Sequence, residues 1–279
     1  MMKLNDLALD AFLQAALEED IGAGDVTTES CVPATARSCA VFIAKESGVV
    51  CGLEVAGRVF RLLDADVRFT PMLEDGEAVS AGAAIAEIEG PSRSILTGER
   101  TALNLLQHMS GVATRTAAAV SAVAGTSAKI TDTRKITPGL RALLKYAVRC
   151  GGGSNHRMGL SDGVLIKDNH IKAAGGIRSA VEAARAACPH TLKIEVETET
   201  LEQVQEALEC SADIIMLDNM TLDLMGQAVT LIGGRALTEA SGNMGDKDLK
   251  AVADTGVDYI SIGALTHTVR ALDISLKFR

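Results

Sequence analysis

The chain is poor in aromatic residues: it has no Trp, two Tyr and five Phe among 279 residues. A core of any size must therefore be built from Ala, Val, Leu and Ile. That suits parallel strands buried beneath helices. No run of about 18 apolar residues is present, which excludes a membrane-spanning helix. Met1–Asp10 carries acids and no long apolar stretch, so it does not read as a signal peptide. The six cysteines form no CxxC pair, which argues against a disulfide framework and against a zinc site. They read as reduced, buried thiols of a cytoplasmic protein. There is no Walker A or GxGxxG fingerprint, so neither a nucleotide triphosphatase nor a dinucleotide enzyme is indicated. Positive charge is also scarce: the net charge is −9, which argues against a nucleic-acid binder.

The charge is unevenly distributed. Lys129 to Lys172 holds nine basic residues against three acids, a net of +6. The rest of the chain then has 18 basic against 33 acidic residues, a net of −15. A basic island in an acidic protein is a candidate pocket for an anionic small molecule. Lys145, Arg149 and Lys172 fit an ordinary helix surface better than such a pocket.

Residues 5–19 have helical spacing, followed by a turn through Asp20–Asp25. Strands are expected at Cys39–Lys45 and Gly48–Cys51, and a helix at Leu53–Leu63. Short β segments punctuated by Gly76 and Gly82 run through Glu89, a pattern for a small barrel or open sheet. A helix from Ser92 to about Met109 is expected to break at Ser110-Gly111 and resume over Val112–Val123. From Lys129 onward the rhythm changes to alternating strand and helix. Strands are expected at Lys129–Thr131, Gly163–Ile166, Leu192–Val196, Asp213–Leu217, Arg235–Thr238 and Tyr259–Ile262. That βα repeat implies a mostly parallel sheet.

The strands end in polar or glycine residues: Asp132-Thr133-Arg134-Lys135, Lys167-Asp168-Asn169-His170, Glu197, Asp218-Asn219, Glu239-Ala240-Ser241-Gly242 and Gly263. In a β/α barrel these positions line the mouth that carries chemistry. An open doubly wound sheet also places its site there, so the pattern locates the site without fixing the closure. Arg134, Lys135, His156, Arg157 and Lys167 come from separate loops and together suit a dianion or a phosphorylated ligand. Glu197 and Asp218 end consecutive strands and offer the hard oxygen ligands that Mg²⁺ prefers. Gly151-Gly152-Gly153, Ser241-Gly242-Asn243 and Gly263 would let backbone N–H groups approach an anion. Basic and acidic groups in one pocket match the needs of a magnesium-bound diphosphate substrate.

The stretch from Asp132-Thr-Arg-Lys135 through Gly151-Gly-Gly-Ser-Asn-His-Arg157 to Lys167-Asp-Asn-His170 resembles the signature of the quinolinate phosphoribosyltransferase family. Flanking matches are Glu19–Thr28, Gly98–Leu106 and Gly256–His267, so the likeness runs nearly end to end. The resemblance implies an α/β fold. Its parts would be an incomplete, seven-stranded β/α barrel over 112–270 and an N-terminal α/β sandwich domain over 1–111, rejoined by a tail at about 271–279. It implies decarboxylating transfer of phosphoribosyl to quinolinate, with Mg²⁺ accompanying the phosphoribosyl diphosphate. By resemblance Arg134, His156, Arg157 and Lys167 bind quinolinate, Thr133 is a further substrate-binding position, Lys135 lies between the two substrates, and Lys135, Glu197 and Asp218 are the catalytic residues. Glu197 and Asp218 serve the ribose and the metal, and Ser241, Gly242, Asn243 and Gly263 hold the 5′-phosphate. Arg100 matches an arginine lent by a partner subunit, so a homodimer, or a larger oligomer built from dimers, is expected. No nucleic acid or membrane is expected as a partner. Ile136 stands where the signature commonly has Thr. The rival readings are a transferase acting on another carboxylate, such as nicotinate, and a noncatalytic anion binder. The number of cations disfavours the first, and Glu197 with Asp218 disfavours the second.

Overall fold

The computed structural model describes residues 4–279. The chain opens with helices α1 (Asp6–Ile21) and α2 (Val26–Cys31). Then come β1 (Arg37–Ala44), β2 (Gly48–Val49), α3 (Leu53–Leu63), β3 (Arg68–Pro71), β4 (Ala78–Val79) and β5 (Ala84–Pro91). The long helix α4 (Ser92–Ala122) is followed by β6 (Lys129–Thr131), α5 (Arg141–Cys150), β7 (Val164–Ile166), α6 (Asp168–Ala174) and α7 (Ile177–Ala187). The remainder is β8 (Ile194–Thr198), α8 (Leu201–Glu209), β9 (Ile214–Asp218), α9 (Leu222–Ile232), β10 (Leu237–Ser241), a 3₁₀ turn at Met244–Asp246, α10 (Leu249–Ala253), β11 (Tyr259–Ser261), α11 (Ala264–His267) and β12 (Ile274–Phe278).

Two compact units result. The first comprises the chain up to Ala117, Thr137–Gly152 and Thr268–Arg279; the second comprises Ala118–Ile136 and Gly153–His267. Helix α5 thus packs with the first unit although it lies between two strands of the second.

In the first unit an open antiparallel sheet runs β12-β1-β5-β3, so the C-terminal strand pairs with the first one. β2 and β4 form a separate antiparallel pair. Three of the five phenylalanines, Phe42, Phe60 and Phe69, gather here with ring centroids 5.5–6.3 Å apart. The phenylalanines of the chain all lie in this unit, and Tyr259 is the one aromatic residue of the second. Asp75 caps α3 by accepting from the N–H groups of Gly52 and Leu53, and Tyr146 Oη donates to its other oxygen at 2.9 Å. Burial, followed by the charge of Asp75, pushes the Tyr146 phenol well above its ordinary range.

The expected break at Ser110-Gly111 does not occur: α4 is continuous over 31 residues. The two residues are there for packing. Ser110 is fully buried; its Oγ accepts from Cys51 N–H at 2.9 Å and donates to the Cys51 carbonyl at 3.2 Å. Gly111 admits the Arg270 carbonyl, which would lie 2.2 Å from a Cβ. Local propensity to end a helix is overridden by tertiary contact. Lys145, expected on a helix surface, is fully buried in α5. Periodicity placed it on a helix without showing which face packs. Of the six cysteines, only Cys51 and Cys150 are buried, and all six are free.

The second unit carries a parallel sheet in the order β6-β11-β10-β9-β8-β7. Ser154 adds a parallel bridge beside Thr131, so a seventh segment extends the sheet past β6. β8, β9 and β10 are largely buried on both faces, as expected of a sheet covered by helices. The helices start at side-chain caps in the connecting loops: Thr200 for α8, Thr221 for α9 and Asp248 for α10. β10 begins two residues later than expected and ends at Ser241, which puts Glu239 in mid-strand. Among the described residues no helix is long and apolar enough to cross a membrane.

Candidate active site

The second unit gathers its polar residues at the C-terminal end of the parallel sheet and in the interior just below it. After β6 the chain turns through fully buried Asp132. Its carboxylate accepts from the backbone N–H of His156 at 2.9 Å and from Asn155 Nδ2 at 2.7 Å. Asp132 therefore ties the loop after β6 to the Asn155–Arg157 loop. The same loop is braced by Thr133 Oγ1, which accepts from Lys135 N–H at 3.0 Å. Thr266 Oγ1 donates to the Lys135 carbonyl at 2.8 Å. The Lys135 side chain passes over Gly263, where a Cβ would lie 3.1 Å from Lys135 Cδ.

Alternation along β8 points Glu195 and Glu197 to the same face of the sheet. Glu197 meets Lys167 Nζ at 2.6 Å. Lys167 is the N-cap residue of α6, a helix that the sequence pattern reads only as a strand-end loop. Asp168 and His170 therefore belong to the first turn of a helix. Asp168 pairs with Lys172 in solvent, which lowers its carboxyl below the ordinary range, and His170 Nδ1 accepts from Lys167 N–H. Of the Lys167–His170 stretch, Lys167 is the member joined to another site residue.

Deeper in the sheet, His156 Nε2 lies 3.0 Å from Glu195 Oε2 and 3.7 Å from Glu239 Oε2. Both acids are about nine-tenths or more buried. Burial, with Glu195 beside it, pushes the Glu239 carboxyl up to about 8. Next in the chain, Arg157 Nη1 donates to the Gly163 carbonyl at 2.9 Å. Burial, and then repulsion from Arg134, holds the Arg157 guanidinium below its ordinary pKa. A cavity of about 430 Å³ opens among His156, Arg157, Lys193, Glu195, Glu239 and Tyr259.

At the adjoining strand ends, Asp218 Oδ2 accepts from Asn219 Nδ2 at 2.7 Å. Asn219 has φ 54° and its N–H donates to the Ser241 carbonyl at 3.1 Å. Gly242 has φ 94°, and a Cβ there would lie 2.2 Å from Asn219 Oδ1. Asn243, also left-handed at φ 52°, starts the 3₁₀ turn. The Asp218-Asn219 and Ser241–Asn243 loops thus interlock through the Asn219 N–H and the close approach of Gly242.

Both domains of one family match this chain: the N-terminal domain of quinolinate phosphoribosyl transferase over residues 25–110 and its C-terminal domain over residues 112–277. The chain belongs to the quinolinate phosphoribosyltransferase family. It is 47% identical to a probable nicotinate-nucleotide pyrophosphorylase of Synechocystis, covering 97% of this chain and 92% of that one. Identity is also 47% to a probable nicotinate-nucleotide pyrophosphorylase of Bacillus subtilis, over 98% and 94% of the two chains. Among solved structures it resembles the nicotinate-nucleotide pyrophosphorylase of Francisella tularensis, with a TM-score of 0.95 and 40% identity over 99% and 98% of the chains. NadC of Streptococcus pyogenes gives a TM-score of 0.94 at 44% identity, with both chains covered completely.

Within this family member, the second unit carries Thr133, Arg134, Lys135, His156, Arg157, Lys167, Glu197, Asp218, Ser241, Gly242, Asn243 and Gly263. Hydrogen bonds link many of them directly or through one neighbour. Arg100 lies on α4 in the first unit, beside a small cavity with Asp20, Gly24 and Asp25. The Gly151-Gly152 pair is not an anion cradle. The N–H groups of both residues cap α5, bonding the carbonyls of Ala147 and Arg149, and Gly151 admits the Ala113 carbonyl. The sequence pattern places Asp132 and Glu239 at strand ends without giving either a role, and it selects Glu197 over Glu195; the structure brings all three into the polar cluster. Glu195 shares its strand face with Glu197 at a spacing of two, and that periodicity was the available signal. Nothing local marks Asp132 as buried.

Proposed function

We propose that this chain joins quinolinate to phosphoribosyl diphosphate and releases nicotinate mononucleotide, CO₂ and pyrophosphate. One observation carries the reading. A family match spanning nearly the whole chain coincides with a Lys167–Glu197 pair at the C-terminal end of a parallel sheet, where Asp218 closes the adjoining strand. Arg134, Arg157 and Lys167 bind the two carboxylates of quinolinate, with Arg157 supplying a planar fork from a partly buried position. Lys135 lies between the substrates. The ring nitrogen attacks C1 of the ribose as its bond to the diphosphate oxygen breaks. The positive charge that develops at C1 is met by Glu197 and Asp218, which also hold the ribose hydroxyls. The C2 carboxylate then leaves as CO₂; its electron pair stays on C2, stabilised by the adjacent pyridinium nitrogen, and C2 takes up a proton from solvent to give nicotinate mononucleotide. Ser241, Gly242, Asn243 and Gly263 offer backbone N–H groups to the 5′-phosphate.

The donor set fits Mg²⁺. Glu197 and Asp218 bring hard oxygen ligands from adjoining strands, few enough to leave much of the shell to phosphate oxygens and water. When bound, the ion would neutralise charge on the departing diphosphate.

The working assembly in this reading is a homodimer in the cytoplasm, with Arg100 of one copy serving the site of the other. The test is direct: incubate the protein with quinolinate, phosphoribosyl diphosphate and Mg²⁺, and measure nicotinate mononucleotide. Turnover of nicotinate in place of quinolinate, or of neither, overturns the assignment.

A further inference from the structure

Cys51 and Cys150 are far apart in the chain and meet inside the first unit. Both are buried, Cys51 completely. Their Sγ atoms and a carboxylate oxygen of Asp75 all lie within 4.8 Å of one another. The two thiols are hydrogen-bonding neighbours. The other four cysteines are exposed or half-buried.

A buried cysteine ordinarily serves as a small apolar side chain, so burial alone gives the pair no role. What sets it apart is how firmly each backbone is held. Ser110 Oγ accepts from the Cys51 N–H at 2.9 Å and donates to the Cys51 carbonyl at 3.2 Å. The next two N–H groups, of Gly52 and Leu53, donate to Asp75 Oδ1. Cys150 is the last residue of α5. Its carbonyl lies against Gly76, where a Cβ would stand 3.2 Å away. One turn earlier on α5, Tyr146 Oη donates to Asp75 Oδ2 at 2.9 Å. The Asp75-Gly76 turn thus holds both cysteine-bearing segments. Two thiols kept together by fixed backbones have a high effective concentration toward each other. Once one is oxidised to a sulfenic acid, the other condenses with it before further oxidation occurs.

We propose that Cys51 and Cys150 are a modification site: a peroxide converts them to a disulfide that fastens the C-terminal end of α5 to the first unit. Cys150 reacts first, because it keeps 8% exposure while Cys51 has none. Burial, then Cys150 and Asp75, holds the Cys51 thiol well above its ordinary range and fits it for the second step. In the first step the Cys150 thiolate attacks a peroxide oxygen. The O–O bond breaks, hydroxide leaves with the thiol proton as water, and a sulfenic acid remains. In the second step the Cys51 sulfur attacks the sulfenic sulfur. The S–S bond forms, the S–O bond breaks, and the oxygen leaves as a second water with the Cys51 proton. Each sulfur has lost one electron and the peroxide has gained two. In a compartment that keeps thiols reduced the pair stays open. Its burial also slows attack by bulky thiol reductants on the finished bond. Because α5 lies between β6 and β7 in the chain, the bond ties an element flanked by strands of the second unit to the first. The inference goes beyond the quinolinate reading and does not rest on it.

The test uses the full chain with Cys31, Cys39, Cys188 and Cys210 replaced by Ser, which leaves the pair as its only thiols. Thiols titrated in denaturant should fall from two to none after treatment with hydrogen peroxide. The intact mass should show the loss of two hydrogens and no added oxygen. Peptide mapping of the oxidised wild-type chain without reductant should join Cys51 to Cys150. The oxidised form should melt about 5–10 °C higher than the reduced form, as expected of a disulfide closing a loop of about 100 residues. Reduction should restore both thiols and the lower melting temperature, and Cys150→Ala should abolish the cross-link and the shift. Two free thiols after peroxide, or a sulfinic acid at Cys150 in place of the cross-link, overturns the proposal. A cross-link that leaves the melting temperature unchanged or lowers it overturns the fastening of α5. If the four-serine variant fails to fold, the peptide map and melting of the wild-type chain decide. Nicotinate mononucleotide is not measured at any step, so failure of the functional reading leaves this result standing.

Discussion

Lys167 Nζ and Glu197 Oε2 are 2.6 Å apart, joining the N-cap of α6 to β8. The pair brings together a side chain assigned to quinolinate and one assigned to the ribose. Lys167→Ala removes one cation from the dianion's receptor. It should raise the KM for quinolinate by about tenfold or more, because a carboxylate loses a charged partner. Glu197→Ala should act mainly on kcat, lowering it about 10²-fold, because its charge matters most as the ribose becomes cationic. Steady-state kinetics with each substrate varied separately distinguishes the two. The same KM effect from both substitutions would mean that the pair is only a structural tie.

Gly242 is constrained twice, by φ 94° and by Asn219 Oδ1. Gly242→Ala should destabilise the protein by about 1–2 kcal/mol from the left-handed backbone alone, with the displaced Asn219 adding to it. The affinity for phosphoribosyl diphosphate should fall more than that for quinolinate. Calorimetric titration with each substrate checks this, and an unchanged diphosphate affinity removes the Ser241–Asn243 loop from the phosphate site.

Glu239 gives a pH dependence with a definite sign. Its carboxyl, ordinarily near 4.5, is raised to about 8 in the folded chain by burial and by Glu195. Between those values the unfolded chain has lost the proton while the folded chain keeps it. Stability therefore falls as pH rises from about 4.5 to about 8 and levels off above that. Glu195, His156, Ser261 and Lys167 surround the group and are retained in Glu239→Gln. Melting temperature against pH for the two proteins should diverge through this window, with the Gln variant losing less. Parallel curves would show that Glu239 is ionised at neutral pH.

Much of this architecture was legible because the βα rhythm is periodic and its loops carry their own caps, as at Thr200, Thr221 and Asp248. Positions whose role is set by packing were not legible. Ser110-Gly111 has the composition of a helix break, yet its small size serves close approach to Cys51 and Arg270. Glu239 reads as a loop residue until the register of β10 against β9, with Glu239 opposite Met216, places it inside the sheet. The strand-end charges were visible as a pattern. Their pairing, Lys167 with Glu197 and His156 with Glu195, needed the register of neighbouring strands.

Magnesium in this reading arrives with the substrate. A chelator should therefore abolish turnover while shifting the melting temperature of the substrate-free protein by no more than about 2 °C, equivalent to roughly 1 kcal/mol. Among the described residues two groups of side chains have possible ligand atoms within 4.8 Å of one another: Cys51 with Asp75 and Cys150, and His156 with Glu195 and Glu239. A large loss of melting temperature on chelation would point to a structural ion at one of them.

Arg100 lies on α4, outside the unit that carries the other candidate site residues. If it serves a second copy of the chain, Arg100→Ala should fold normally and lose activity. Lys135→Ala should also be inactive, through a different gap in the same composite site. Hybrid dimers of the two variants would have one site lacking both groups and one site with both intact. Equal mixing with complete exchange makes about half the dimers hybrid, each with one working site of two, so roughly a quarter of wild-type activity should return. Affinity tags of two kinds on the two variants isolate the hybrids and remove any doubt about exchange. Purified hybrids should then show about half of wild-type activity per dimer. Inactive hybrids would place Arg100 in the site of its own chain or in none, and the shared site would have to be abandoned.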